Sequence, residues 1–138
     1  MATAERSYRT TLHPLHTIVL TGSIPLFLGA MLSDFAYSSS AQIQWSNFAS
    51  WLLAGGLVFA GLAILWGLLR ADRGHRCALL SLLLLVATWV LGFIDSLVHA
   101  KDAWAIMPTA PVLSVIVTLL AFAAAWFGLV TKNTGDQV

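Results

Sequence analysis

Four long apolar stretches, separated by short polar segments, run along the chain. Each stretch has about twenty residues, and a helix of that length crosses the ~30 Å hydrocarbon layer of a bilayer at ~1.5 Å per residue. The pattern predicts membrane-spanning helices at residues 14–36, 48–69, 77–98 and 112–130. Because the connectors are short, successive helices should be antiparallel neighbours, which predicts an all-α, integral membrane, up-down-up-down four-helix bundle.

Small residues and a proline in the first two spans predict close contacts between helices. Pro25 removes a hydrogen bond in the middle of the first span, and the nearby Gly22 and Gly29 allow a kink or a close neighbour. In the second span Gly56 and Gly61 belong to a series of small residues that lets another backbone approach in lipid. Residues 38–44 form an uncharged connector, after which Ser46 or Asn47 is the predicted N-cap.

Composition supports lipid rather than water as the solvent of this chain. Of its 138 residues, 59% are hydrophobic and 9% are charged, whereas a soluble domain has roughly 25% charged residues. A formal net charge of +1 suggests no nucleic-acid partner, and a single cysteine excludes an internal disulfide. Neither a repeat nor a second domain is visible, so we expect residues 1–138 to form a single domain.

The basic residues predict the orientation of the bundle. Six of the seven fall on one predicted side: Arg6, Arg9, Arg70, Arg73, Arg76 and Lys132. The opposite side has Lys101 alone. By the positive-inside rule, both termini should therefore be cytoplasmic.

Three ionisable residues gather at the predicted outer ends of the first and third spans. Asp95 and His99 are four residues apart on one helix and share a face, and Asp34 could come alongside from the first span. These side chains suit a divalent metal, a histidine that ligates haem, or a proton pathway. Alternatively, Asp95 and His99 form a hydrogen bond that fixes the end of their helix.

A second group of candidates lies at the predicted cytoplasmic face. His13 and His16 point the same way on a helix, and His75 approaches from the start of the third span. The three could supply two axial ligands for a haem b, with Arg73 and Arg76 receiving its propionates. The alternative is that these histidines lie among lipid headgroups. His16 and His99 are predicted at opposite ends of the bundle and should not share one haem.

Sequence motifs of soluble enzyme active sites are absent. No segment resembles a phosphate loop, a nucleophile elbow, a zinc-protease helix or a dinucleotide-binding fingerprint. We therefore predict no catalytic residue and do not expect the chain to be an enzyme on its own.

Several motifs in combination are distinctive, and they extend over nearly the whole chain. They are HPLH at 13–16, GAMLSDFAY at 29–37, QWSNFASWL at 44–52, VHAKDAW at 98–104 and WFG at 126–128. In these motifs the chain resembles a bacterial family of four-helix membrane proteins known only as a domain of unknown function. It departs from many members at Thr17, where they have a second proline, and at residues 133–135, where they carry a histidine before a terminal glycine.

This resemblance implies that the protein is associated with electron-transfer proteins in the bacterial inner membrane. Relatives occur fused to Rieske iron–sulfur or cytochrome c modules, or beside periplasmic dehydrogenases. The leading hypothesis is a small redox-associated subunit that binds haem, or that anchors a periplasmic or membrane redox partner. Two alternatives remain open: a cofactor-free scaffold that packs on other subunits, and a small ion- or metal-binding transporter using Asp34, Asp95 and His99. The sequence does not predict an oligomeric state.

Overall fold

The computed structural model describes residues 14–69, 76–101 and 103–134. Within these ranges the secondary structure is helical, with α1 at Pro14–Ser40, α2 at Ile43–Leu69, α3 at Arg76–His99 and α4 at Thr109–Thr134. A single 3₁₀ turn, Ala103–Ile106, lies between α3 and α4. All four α-helices are long and apolar enough to cross a membrane, so the prediction of an all-α membrane bundle is confirmed.

The four helices form a closed ring in which each one packs against two others. Helix α1 lies between α2 and α4, and α3 completes the ring on the other side. Neighbours are antiparallel: Gly22 of α1 faces Phe59 of α2, whereas Gly29 faces Leu52. The ends of α1 and α3 therefore lie beside the starts of α2 and α4. We call this the Asp34 end of the bundle and the opposite end the Arg76 end.

Helix α1 continues past residue 36, where the predicted span stops, and the serine side chains of its last turn bond back to the helix. The hydroxyls of Ser38 and Ser40 donate to the carbonyls of Phe35 and Ala36, at 2.8 and 2.6 Å. The helix ends at Ser40. The next residue, Ala41, has a left-handed φ of 55°, and its N–H donates to the Tyr37 carbonyl at 2.8 Å.

Helix α2 begins earlier than the predicted span. Its first residue is Ile43, and the connector from α1 is reduced to residues 41 and 42. Ser46 lies inside the helix, where it is buried and where its carbonyl accepts the Ser50 hydroxyl at 2.9 Å. The prediction that Ser46 or Asn47 is the N-cap is therefore wrong, because both residues are already inside the helix.

The small residues in the bundle interior accommodate large side chains of the same chain. Phe27, which is 0% exposed, lies against Gly56 of α2. Gly61 faces the indole of Trp89, whose Nε1–H donates to the Leu57 carbonyl at 3.2 Å. Another backbone was predicted to approach Gly56 and Gly61, but the groups that lie against them are side chains from other helices of the same molecule.

Candidate functional site

A cluster of ionisable side chains lies inside the Asp34 end of the bundle. His99 Nε2 of α3 is 2.8 Å from Asp34 Oδ1 of α1, and the two side chains are 1% and 0% exposed. His99 Nδ1 lies 3.0 Å from the carbonyl oxygen of Asp95 and 3.3 Å from its Oδ1. The structure thus brings together the three residues that the sequence grouped as Asp34, Asp95 and His99.

Ser114 of α4 is the fourth member, and no pattern in the sequence distinguishes it. Its Oγ lies within hydrogen-bonding distance of Asp34 Oδ2 and 2.9 Å from Asp95 Oδ2. The side chain is buried, with 1% of the residue exposed. One serine in a helix of Val, Leu, Thr and Ala has no distinguishing pattern. We refer to Asp34, Asp95, His99 and Ser114 as the acid–histidine cluster.

Local helix geometry positions the α3 part of this cluster. His99 is the last residue of α3, and Asp95 lies four residues earlier, so both side chains are on one face. Because a carbonyl oxygen can only accept, Nδ1 of His99 must carry a proton and donate it to the Asp95 carbonyl. This contact aims Nε2 away from α3, toward α1.

An apolar layer separates the cluster from the nearby end of the bundle. The residues buried together there are Tyr37, Val98, Ile106 and Ala110. Ile106 lies in the 3₁₀ turn, and the other three each lie within about one helical turn of a cluster residue on their own helix. The Tyr37 ring also lies 5.8 Å from the exposed Trp104 ring, centroid to centroid. We call these four buried residues the apolar cap.

Buried hydroxyl groups continue from the cluster toward the Arg76 end. Thr118, one turn after Ser114, donates to the Ser114 carbonyl at 2.7 Å and lies 3.2 Å from the Phe27 carbonyl of α1. Farther along, Thr88 is 0% exposed, and Ser81 donates to the Ala124 carbonyl of α4 at 2.8 Å. The interior of the bundle therefore has polar groups between its two ends.

The two predicted haem residues in the described ranges, His16 and Arg76, lie away from this cluster. His16 is half-buried near the start of α1, with its ring centroid 6.2 Å from that of Trp66. Arg76 is exposed at the start of α3. His16 is roughly 27 Å along α1 from the cluster at ~1.5 Å per residue, and so cannot share a ligand with His99. The other candidates, His13, Arg73 and His75, lie outside the described residues.

The predicted metal ligands are arranged as hydrogen-bonding partners of one another. Both ring nitrogens of His99 face oxygen atoms of the aspartates. Asp95 Oδ1 is buried and has no hydrogen bond, although it lies beside His99 Nδ1. In the described ranges, no three His, Cys, Asp or Glu side chains are placed to hold a metal ion. The metal site stays a prediction, and the geometry observed is that of a histidine and two carboxyl groups within hydrogen-bonding distance.

Comparison with known proteins identifies one relationship. No curated protein and no solved structure matches the chain. A family model described as predicted membrane protein (DUF2231) matches residues 12–134, a range that includes all four helices and the whole acid–histidine cluster. With its four membrane-spanning helices and this match, the chain belongs to the DUF2231 family of predicted membrane proteins.

Proposed function

We propose that this multi-pass membrane protein takes up and passes on protons at the acid–histidine cluster. The observation that carries the proposal is the buried contact between His99 Nε2 and Asp34 Oδ1 at 2.8 Å. Histidine exchanges protons near neutral pH more readily than other side chains, and aspartate is a suitable partner. Buried ionisable groups in membrane proteins are costly and are typical of proton relays.

The location of the cluster supports exchange with one surface of the membrane. Asp34 lies six residues before the end of α1 at Ser40, which is roughly 9 Å at ~1.5 Å per residue. Among the described residues, the apolar cap lies on that side of the cluster, and a small displacement of Tyr37 or Ile106 would let water approach. The route to the Arg76 end is longer, and the hydroxyls of Thr118, Thr88 and Ser81 lie along it.

A proton-transport assay tests this proposal. The purified protein would be reconstituted into liposomes that contain a pH-sensitive dye, and a potassium gradient with valinomycin would impose a membrane potential. We expect wild-type protein to move protons faster than protein-free liposomes do. The variants Asp34→Asn and His99→Gln should reduce the rate to the protein-free level, since each replaces a group that can carry the transferred proton with an amide that cannot.

Two variants provide matched controls. Asp102→Asn removes a carboxylate from the α3–α4 connector, and His16→Gln removes a histidine from the other end of the bundle. Both should transport protons at the wild-type rate. The proposal is wrong if folded wild-type protein gives the protein-free rate under potentials of either sign, or if the controls lose as much activity as Asp34→Asn.

A redox-associated role is the second candidate function. It is favoured by the half-buried His16 beside Trp66, at the same end of the bundle as the exposed Arg76. A haem b held there would make the protein an electron-transfer subunit or an anchor for a periplasmic dehydrogenase. Its test is an absorption spectrum of membranes overproducing the chain: a Soret band should weaken in His16→Ala or His75→Ala. A colourless preparation from haem-replete cells would contradict it.

The two candidates are separable because they depend on different ends of the bundle. Replacing Asp34 should abolish proton exchange and leave any haem spectrum unchanged. Replacing His16 should weaken the haem spectrum and leave proton exchange unchanged. A protein in which both changes abolish both signals would be misfolded, and its helix content would reveal this by circular dichroism.

A further inference from the structure

Ser114 lies between two buried carboxyl groups and contacts both. Its Oγ is within hydrogen-bonding distance of Asp34 Oδ2 and is 2.9 Å from Asp95 Oδ2. A serine hydroxyl has one proton to donate and lone pairs that accept. It can therefore donate to one of these carboxyl groups only. The other contact is a hydrogen bond only when that carboxyl group carries its own proton and donates it to Oγ.

His99 imposes a second requirement of the same kind. Its Nδ1 already donates to the Asp95 carbonyl. Its Nε2 lies 2.8 Å from Asp34 Oδ1, and this contact needs one proton, which either Nε2 or Oδ1 can carry. When Nε2 carries it, the pair is imidazolium and carboxylate; when Oδ1 carries it, both groups are neutral.

We infer that the cluster holds two shared protons among Asp34, Asp95 and His99, and that Ser114 is the bridge between the two carboxyl groups. With a neutral imidazole and two carboxylates, the cluster would have a charge of −2, and two protons bring it to zero. Neutrality suits the site, because an uncompensated buried charge is expensive. The basic side chains described elsewhere, Arg76 and Lys101, are exposed and do not supply this compensation.

The bridge allows a proton to move without any change in net charge. In the form where Nε2 of His99 carries the other proton and Asp34 is a carboxylate, Asp95 gives its carboxyl proton to Ser114 Oγ, while the original Ser114 proton passes to Asp34 Oδ2. The O–H bond of Asp95 breaks and a new O–H bond forms on Ser114; the former O–H bond of Ser114 breaks and one forms on Asp34. Asp95 becomes the carboxylate and Asp34 the acid, next to His99.

Infrared spectroscopy of the purified full chain near neutral pH tests the shared protons. A protonated carboxyl group has a C=O stretch that is distinct from the carboxylate bands and that shifts in D₂O. Labelling aspartate with ¹³C would assign it. We expect this band in the wild type and its loss in Asp95→Asn. Its absence from the wild type would overturn the inference without reference to any variant.

Variants at Ser114 test the bridge itself. Ser114→Ala removes the hydroxyl, so Asp95 no longer has an acceptor for its proton and the C=O band should shift or disappear. Ser114→Thr retains a hydroxyl and should preserve the band. The matched control is Ser81→Ala, which removes another buried hydroxyl that bonds between α3 and α4 but is remote from the cluster. An unchanged band in Ser114→Ala would contradict the bridging role.

The role of Ser114 in transfer rests on the proposed proton exchange, and the liposome assay separates the two. Ser114→Ala should lose proton flux and Ser114→Thr should regain it. If wild-type flux is absent but the infrared band behaves as expected, the shared protons stand and the proposed function fails. If wild-type flux is present and Ser114→Ala retains both flux and band, the proposed function stands and the bridge fails.

Discussion

His99 Nε2 of α3 lies 2.8 Å from Asp34 Oδ1 of α1, and the two side chains are 1% and 0% exposed. Helices α1 and α3 are not close-packed neighbours in the ring, since α2 and α4 lie between them. The contact therefore reaches across the interior and ties together two helices that share little other surface. Ser114 adds α4 to the same network. The cluster that could exchange protons also holds one end of the bundle together.

Removing one partner of this contact should destabilise the fold. Asp34→Ala leaves the Nε2 of a buried histidine without an acceptor, which typically costs about 3–5 kcal/mol. Asp34→Asn should cost less, because its amide oxygen can still accept from Nε2. Equilibrium unfolding of the purified variants in mixed micelles measures the loss of unfolding free energy in each. The double variant Asp34→Ala/His99→Ala, measured with its two single variants, completes a mutant cycle, and strictly additive losses would show that the two side chains do not interact.

Adjacent glycines in α2 provide a packing test. A Cβ at Gly56 would lie 2.7 Å from the ring of Phe27, which is fully buried and has no room to move. Gly56→Ala should therefore destabilise the protein by about 1–3 kcal/mol. At Gly55 the nearest atom is Leu26 Cδ1 at 3.4 Å, an ordinary contact. Gly55→Ala should be neutral or stabilising, since alanine favours the helix. Equal effects of the two changes on unfolding would contradict the packing described here.

Residue spacing was enough to predict part of the candidate site. Asp95 and His99 had to share a face because they are four residues apart on a helix. An up-down-up-down topology placed Asp34 at the same end. The remaining information is tertiary. Which hydroxyl side chain of α4 meets the carboxyl groups depends on the rotation of that helix, and apolar periodicity predicts this rotation poorly when every face is hydrophobic. Ser114 could not be distinguished from Thr118 on sequence grounds.

The helix ends were harder to predict than the spans. Serine is not a strong helix former, so residues 38–40 were expected to belong to a connector. In the structure their hydroxyls donate to backbone carbonyls of the preceding turn and the helix continues. The glycines of α2 show a similar limit. Their spacing indicated a close neighbour, but it did not reveal that the neighbours are Phe27 and Trp89 of the same chain.

The indole of Trp89 should contribute measurable stability. Its Nε1–H donates to the Leu57 carbonyl at 3.2 Å and joins α3 to α2, and its ring stacks on Phe93 at 5.6 Å between centroids. Trp89→Phe removes the donor and part of the ring, and should cost about 1 kcal/mol or somewhat more. Trp126→Phe is the control, since Trp126 is 69% exposed. A loss of the same size in the control would remove the evidence for this bond.

Glycine should stabilise the turn between α1 and α2 more than the native Ala41 does. Ala41 is exposed and has a φ of 55°, a left-handed conformation that costs an L-residue roughly 1–2 kcal/mol and glycine almost nothing. Part of this gain is offset because glycine makes the unfolded chain more flexible. Ala41→Gly should therefore stabilise the protein by about 0.5–1 kcal/mol. Ala54→Gly, at an exposed position inside α2, should destabilise it by about 1 kcal/mol. Chemical unfolding of the wild type and the two variants measures the change in the free energy of unfolding. The two changes have opposite signs if the backbone at Ala41 is strained, and the same sign if it is not.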